Sequence, residues 1–195
     1  MANLQSKGGI VYEIETCTEG AQVLTLQSLN GGFTMLKLTD ADEQKFKDTL
    51  ISDFTDPIFR AAFQAYFTEL DIRIKNWDGL FQEMNTDGGN KAFVRTDGIG
   101  NVVGFIQCKP ILFTSCFFEE TYGFIREFWV SPKYRNSGHG SALLQLAEVH
   151  FKEQGIFTSI LTTDTAERFY LKHGYQKAWG IKAKNKMEVF IKRLG

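Results

Sequence analysis

The stretch from Arg126 to Phe151, REFWVSPKYRNSGHGSALLQLAEVHF, constrains the fold more than any other part of the chain. Its apolar start reads as a strand ending at Val130-Ser131-Pro132. A polar loop follows, and then a helix whose one face carries Leu143, Leu146, Ala147 and Phe151 before Gly155 stops it. A strand, a short glycine loop and an amphipathic helix in this order require the helix to fold back onto a sheet. The first backbone N–H groups of such a helix have no partner within it, and its dipole favours an anion there. Gly138 and Gly140 let the backbone come close to a ligand. Arg135 offers a bidentate cation, while Ser137 and Ser141 offer hydroxyls. Taken alone, such a loop is just as often a tight turn.

Two familiar phosphate loops are excluded. No Gly-Lys-Ser/Thr occurs, which removes a Walker loop, and Leu143 stands where a Rossmann fingerprint needs its third glycine. A nicotinamide-dependent oxidoreductase is therefore not expected. Nor does the net charge of −1 carry the basic excess of a sequence-independent nucleic-acid binder. Three scattered cysteines, Cys17, Cys108 and Cys116, lack metal-ligand spacing and read as free thiols of a reducing compartment. The opening MANLQSKGGIVYEIE has no signal-peptide core, and no run reaches membrane-spanning length. The expectation is a cytoplasmic protein with no metal, no nucleic acid and no membrane partner.

Along the chain, VYEIETCTEGAQVLTLQSL alternates about a Glu19-Gly20 turn and reads as a hairpin. FTMLKLT follows as a strand. DADEQKFKDTLISDF opens with the acids that favour a helix start, and Asp56-Pro57 caps another helix carrying Phe59, Ala62, Phe63, Tyr66 and Leu70 at helical spacing. KAFVRTD and NVVGFIQCKPILF form a second hairpin. After the loop and its helix come FTSILTT as a strand and DTAERFYLKHG as a short helix with an Asp164…Glu167 box. YQKAWGIKAKNKMEVFIKRL closes with one or two strands. The order predicts an α/β (α+β) sheet with helices packed on it, without regular βαβ alternation.

Three segments together resemble one superfamily. Arg135-Asn-Ser-Gly138-His-Gly140 is similar to the Arg/Gln-x-x-Gly-x-Gly/Ala signature of the GCN5-related N-acetyltransferases (GNAT). EFWVSP resembles that family's fourth strand, and AERFYLKHGY resembles its Ala-x-x-Phe-Tyr-x-x-x-Gly-Phe/Tyr helix. The resemblance spans Phe33 to Leu194. It implies a mixed, mostly antiparallel sheet of about seven strands flanked by about four helices. It divides the chain into a hairpin extension at residues 1–32, packed on the same domain, and an acetyltransferase domain at 33–195. It further implies acetyl-CoA as cofactor and direct acetyl transfer to a primary amine of a small molecule or peptide in a ternary complex. A homodimer is left open. A non-catalytic acyl-CoA-binding or sensor module of the same fold is the alternative.

The same resemblance names the site. The pyrophosphate of coenzyme A falls to Arg135, Asn136, Ser137, Gly138, His139, Gly140 and Ser141, with Asn136 where many members have glycine. Phe128, Trp129 and Val130 supply the strand that pantetheine pairs with and whose amides stabilise the thioester oxygen. Thr163 stands where many members carry asparagine toward pantetheine. Tyr170 matches the tyrosine that protonates the leaving thiolate, with a core tyrosine as the plain alternative. Glu127 is the candidate base. Alternation sets Glu127 and Trp129 on the face opposite Phe128 and Val130 unless a bulge intervenes, and Arg126 takes a slot that an acid fills in some members. Otherwise Glu127 is a salt-bridged carboxylate and solvent takes the proton. His150 reads as structural, and Lys182, Lys184 and Lys186 as the solvated face of an edge strand. Phe59, Phe63, Tyr66 and Phe67 lie where the family's first helices cover the acceptor.

Overall fold

In the computed structural model, residues 46–114, 116 and 119–195 are described in full. Among residues 1–45, four strands are described. The chain divides into two compact units, residues 1–45 and 46–195. The first holds an antiparallel sheet in the order β1 (Gln5–Lys7), β2 (Ile10–Thr16), β3 (Gln22–Gln27) and β4 (Phe33–Leu36). The expected hairpin is the β2–β3 pair, with Ile14 opposite Leu24. Its turn lies outside the described residues. FTML pairs with β3, and the first compact unit runs to Lys45.

The second unit carries a seven-stranded sheet. Its chain order is β5 (Lys47–Ile51), α1 (Pro57–Glu69), α2 (Trp77–Thr86), β6 (Lys91–Thr96), β7 (Val102–Thr114), β8 (Glu119–Val130), α3 (His139–Glu153), β9 (Thr158–Thr163), α4 (Glu167–Lys172), β10 (Gln176–Lys177) and β11 (Glu188–Arg193). In space the strands run β10-β11-β9-β8-β7-β6-β5. All pairs are antiparallel except β8 with β9. This bears out the mixed, mostly antiparallel sheet. Alternation on β7 separates two cores. Phe105 packs with Phe59, Phe63, Phe81 and Trp129 under α1 and α2, while Ile106 packs with Leu143, Phe151, Tyr170 and Phe190 under α3 and α4. No helix among the described residues is long and apolar enough to cross a membrane.

Three local readings are corrected. KDTLI, expected within a helix, is edge strand β5. Asp48 stands opposite Arg95 and accepts both Arg95 Nε and Nη2, at 2.7 and 2.6 Å, a cross-strand pair that outweighs the helix propensity of the acids before it. The earlier part of that segment lies outside the described residues. Helix α4 is not closed by an Asp164…Glu167 box, because Thr163 Oγ1 instead accepts from the Ala166 and Thr165 amides, at 3.1 and 3.3 Å. Lys182, Lys184 and Lys186 are solvated, but on a loop between β10 and β11, where Lys186 has φ +63°. The Asp56 cap of α1 is as expected, accepting from Ile58 and Phe59.

Gly123 decides how closely α3 sits on β8, since a Cβ there would lie 2.4 Å from the buried Phe151 ring. Gly123→Ala is expected to destabilise the protein by about 1–3 kcal/mol, as overpacking does. Urea unfolding would show this, and an unchanged midpoint would mean that the ring retreats freely.

Candidate active site

The strand before the loop opens at its far end. β8 and β9 pair only through Gly123–Ser159, Phe124–Ile160 and Ile125–Leu161, so Arg126 to Val130 diverge from β9. On the other side β8 stays on the β7 ladder to Val130–Gly104. Ser131 N–H donates to Val103 O at 2.8 Å, toward β7. Successive residues turn their backbone polar groups to opposite sides, so Val130 and Phe128 present theirs to the open edge, and Trp129 does not. Consistently, Val130 O accepts from Arg135 Nε at 2.9 Å on that open side.

A bulge adjoins the opening. Gln107 faces Glu127 while the next β7 residue, Cys108, faces Ile125, leaving Arg126 as the extra residue. Without it Ile125 and Glu127 would share a face. With it Ile125 stays in the α3 core, while Glu127 turns to α1 and Arg126 reaches Asp87, 2.9 Å away, at the end of α2. Phe128 keeps to the α4 side, packed on Phe169 and Tyr170.

The loop has the form an anion needs. After a single 3-10 turn at Pro132–Tyr134, Asn136 and Gly138 take positive φ, +61° and +84°, and α3 begins. Among the described residues the amides of Asn136 to Ser141 have no hydrogen-bond acceptor, so six successive N–H groups are free at a helix N-terminus. A Cβ on Gly138 would meet nothing within 4 Å, so its requirement is the backbone angle. Gly140 is different: a Cβ would touch Phe169 at 3.4 Å and Phe128 at 3.6 Å, which ties the loop to α4 and β8.

Several side chains are otherwise engaged. Arg135 donates to Glu69 of α1 at 2.5 Å, and Glu69 also accepts from the Trp129 indole at 2.7 Å; these two donors hold its carboxyl below the usual range. Trp129 therefore belongs, by side chain, to the α1 face. Ser137 leans on Arg135 O at 3.4 Å. His173 Nδ1 donates to Phe169 O at 2.8 Å, and its Nε2 hydrogen-bonds the Ser141 hydroxyl at 2.8 Å. The ring of His139 is packed against Phe46 and Tyr134, and burial, with Arg95, lowers its pKa. What these two residues offer an anion is backbone. The Thr163 hydroxyl is taken by the Thr165 and Ala166 amides just ahead of α4.

Two titratable groups flank the opening from opposite faces. Tyr170, on α4, is 5 % exposed, burial raises its pKa with a smaller contribution from Tyr66, and its hydroxyl has no hydrogen-bond partner among the described residues. Glu127 accepts the Tyr66 hydroxyl at 2.9 Å. Burial raises the Glu127 carboxyl, against the pull of Tyr66 and Arg126. Burial and the Glu127 charge push the Tyr66 phenol upward in turn. Sequence reasoning placed Tyr66 over the acceptor but missed its bond to Glu127. It also missed Glu69 and the buried Gln107, whose one signal was a lone amide inside the apolar run VVGFIQC.

Comparisons with known proteins place the fold. A family model described as the acetyltransferase (GNAT) family matches residues 51–175. A Staphylococcus aureus acetyltransferase of that family is 18% identical, with a TM-score of 0.56 over 76% of this chain and 100% of its own. Arabidopsis thaliana NAA60, solved with a bisubstrate analogue, is 18% identical, with a TM-score of 0.54 over 76% of this chain and 98% of its own. An aminoglycoside acetyltransferase from an uncultured soil metagenomic sample is 14% identical, with a TM-score of 0.54 over 66% of this chain and 84% of its own. At these identities the likeness is one of fold. No curated protein matches the sequence.

Proposed function

Because the chain belongs to the acetyltransferase (GNAT) family, we propose that it moves an acetyl group from acetyl-CoA directly to a primary amine within a ternary complex. The observation that carries this reading is the junction of an unpaired β8 edge with a run of six free amides at the start of α3. An extended amide chain can pair with the first while the attached pyrophosphate sits on the second. In this reading Asn136 to Ser141 hold the pyrophosphate by their N–H groups, and Phe128 and Val130 serve pantetheine and the thioester oxygen. Arg135 joins the phosphate by releasing Glu69.

Acetyl-CoA supplies the activated acyl carbon. Glu127 takes the proton that the ammonium must lose before its nitrogen can attack. A buried carboxyl with a raised pKa is a better base than an exposed one, since its conjugate acid lies nearer neutral pH. The N–H of Phe128 or Val130 faces the carbonyl oxygen as it gains charge, worth a few kcal/mol in a dry site. Tyr170 gives its phenolic proton to the departing sulfur as the C–S bond breaks. Burial raises a phenol and a thiol alike, so the two stay closer in proton affinity than the phenol's shift alone suggests.

The test is release of the coenzyme A thiol from acetyl-CoA over a panel of small amines, amino acids and N-terminal peptides. The expected result is amine-dependent release with N-acetylated product. Tight coenzyme A binding with no release on any amine would sink the enzyme reading and leave an acyl-CoA-binding module.

A further inference from the structure

Gln107 is a fully buried amide with half of its polarity unused. Its amino group donates to Asn90 Oδ1 at 3.4 Å, while its Oε1 has no hydrogen-bond partner among the described residues. The orientation is dictated from outside. Asn90 spends its own amino group on Met84 O, 3.3 Å, and on the Asp87 carboxylate, 3.2 Å, both of which only accept. That turns Asn90 Oδ1 toward Gln107, and Gln107 must answer with its amino group. Its oxygen is left on the far side of the amide. A buried acceptor without a donor costs about 1–3 kcal/mol, and native proteins seldom tolerate one.

Directly across the β7–β8 ladder from Gln107 stands Glu127. Both side chains lie on the α1 face, since Phe105, two residues before Gln107, packs in that core and Glu127 meets Tyr66. Side chains so opposed start from Cβ atoms about 4.5–5.5 Å apart. Glu127 Oε2 takes the Tyr66 hydroxyl, and its Oε1 has no partner among the described residues. An ionised Glu127 offers Gln107 Oε1 only a second acceptor, whereas a protonated Glu127 offers it a donor.

We propose that Gln107 is a positioning residue that accepts the O–H of protonated Glu127, so that the pair forms the seat for the proton taken from the acceptor amine. The proposal rests on the reading of Glu127 as general base. The step balances without any co-reactant: the ammonium N–H bond breaks, its electron pair stays on nitrogen, and the proton bonds to Glu127 Oε1 and points to Gln107. It later leaves to solvent. Tyr66, on α1, does the opposite service by donating to the ionised form. Arg126 also favours that form, although it is paired with Asp87, a carboxylate it shares with Lys109 of β7.

Carboxyl-carbon NMR titration of Glu127 in the whole protein decides the matter. Gln107→Leu strips the acid form of its acceptor, so the acid dissociation constant is expected to rise about tenfold; Tyr66→Phe strips the ionised form of its donor and is expected to lower it about tenfold. The rising limb of the pH profile of kcat/KM for the amine moves to lower pH in the first variant and to higher pH in the second. An amide serving structure alone would not produce opposite displacements. Gln107→Met, of similar volume, takes the place of the leucine variant if coenzyme A affinity shows that the latter misfolds. A constant within about twofold of wild type in the Gln107 variant, or one displaced the other way, overturns the proposal. The titration reads Glu127 with or without turnover. A protein that acetylates no amine would therefore defeat the functional reading separately.

Discussion

Gly138→Val is expected to lower coenzyme A affinity at least about a hundredfold while the protein stays folded. Gly138 caps α3 with φ +84°, a conformation that costs an ordinary residue about 1–2 kcal/mol and a β-branched one more. A new Cβ would meet no protein atom within 4 Å, so the fold bears only the backbone strain. The ligand bears the rest. If the loop relaxes, several of the six amides no longer converge on one anion, and each hydrogen bond to a charged group contributes about 1.5–3 kcal/mol. Gly138→Asn serves as the internal comparison, because asparagine enters the left-handed region with less strain and should keep more affinity. Calorimetric titration with coenzyme A measures all three proteins. Equal affinity in the valine variant would mean that this loop does not hold the pyrophosphate.

Tyr170→Phe is expected to reduce kcat by about a hundredfold or more, within the range general acids commonly supply, with coenzyme A affinity and folding stability nearly unchanged. The ring packs against Phe128, Phe169 and Tyr175, and phenylalanine keeps those contacts. The hydroxyl has no hydrogen bond among the described residues that the substitution would break. A kinetic loss without a stability loss thus separates an acid from a packing residue. Wild-type turnover would return Tyr170 to the core as a structural tyrosine. Thiol release, calorimetric titration with coenzyme A and urea unfolding measure the three quantities.

The two predictions draw on different amounts of sequence information. Gly138 was readable because the reason for it is local: a left-handed residue ahead of a helix announces itself by residue type. Tyr170 was readable because it stands in a short signature with Ala166, Phe169 and Gly174 on either side. Other local signals failed where a distant partner outweighed them. KDTLI followed acids suited to a helix start, but Asp48 found Arg95 across a ladder 47 residues away. The Asp164…Glu167 box lost to Thr163, whose hydroxyl accepts from the Ala166 amide, while Asp164 accepts from the Glu188 amide 24 residues on.

Glu127 shows the division most sharply. Strand alternation put it on the face opposite Phe128, and that is where it lies, bonded to Tyr66. Alternation alone would also have put Ile125 beside Glu127. The extra residue Arg126 prevents this, and a bulge belongs to the pairing of two strands rather than to the residues of one.

By itself the sequence determined the strand, loop and helix order, the free amides at the start of α3 and the residue types that line them. Backbone sterics and helix ends act over a few residues, and so are legible in a few residues. Tertiary structure alone decided where β8 leaves β9, which face Glu127 takes, that Glu69 holds Arg135, and that Gln107 is left with an unanswered acceptor. Each of these depends on a contact between segments far apart in the chain, where hydrogen-bond partners are assigned only once the sheet has closed.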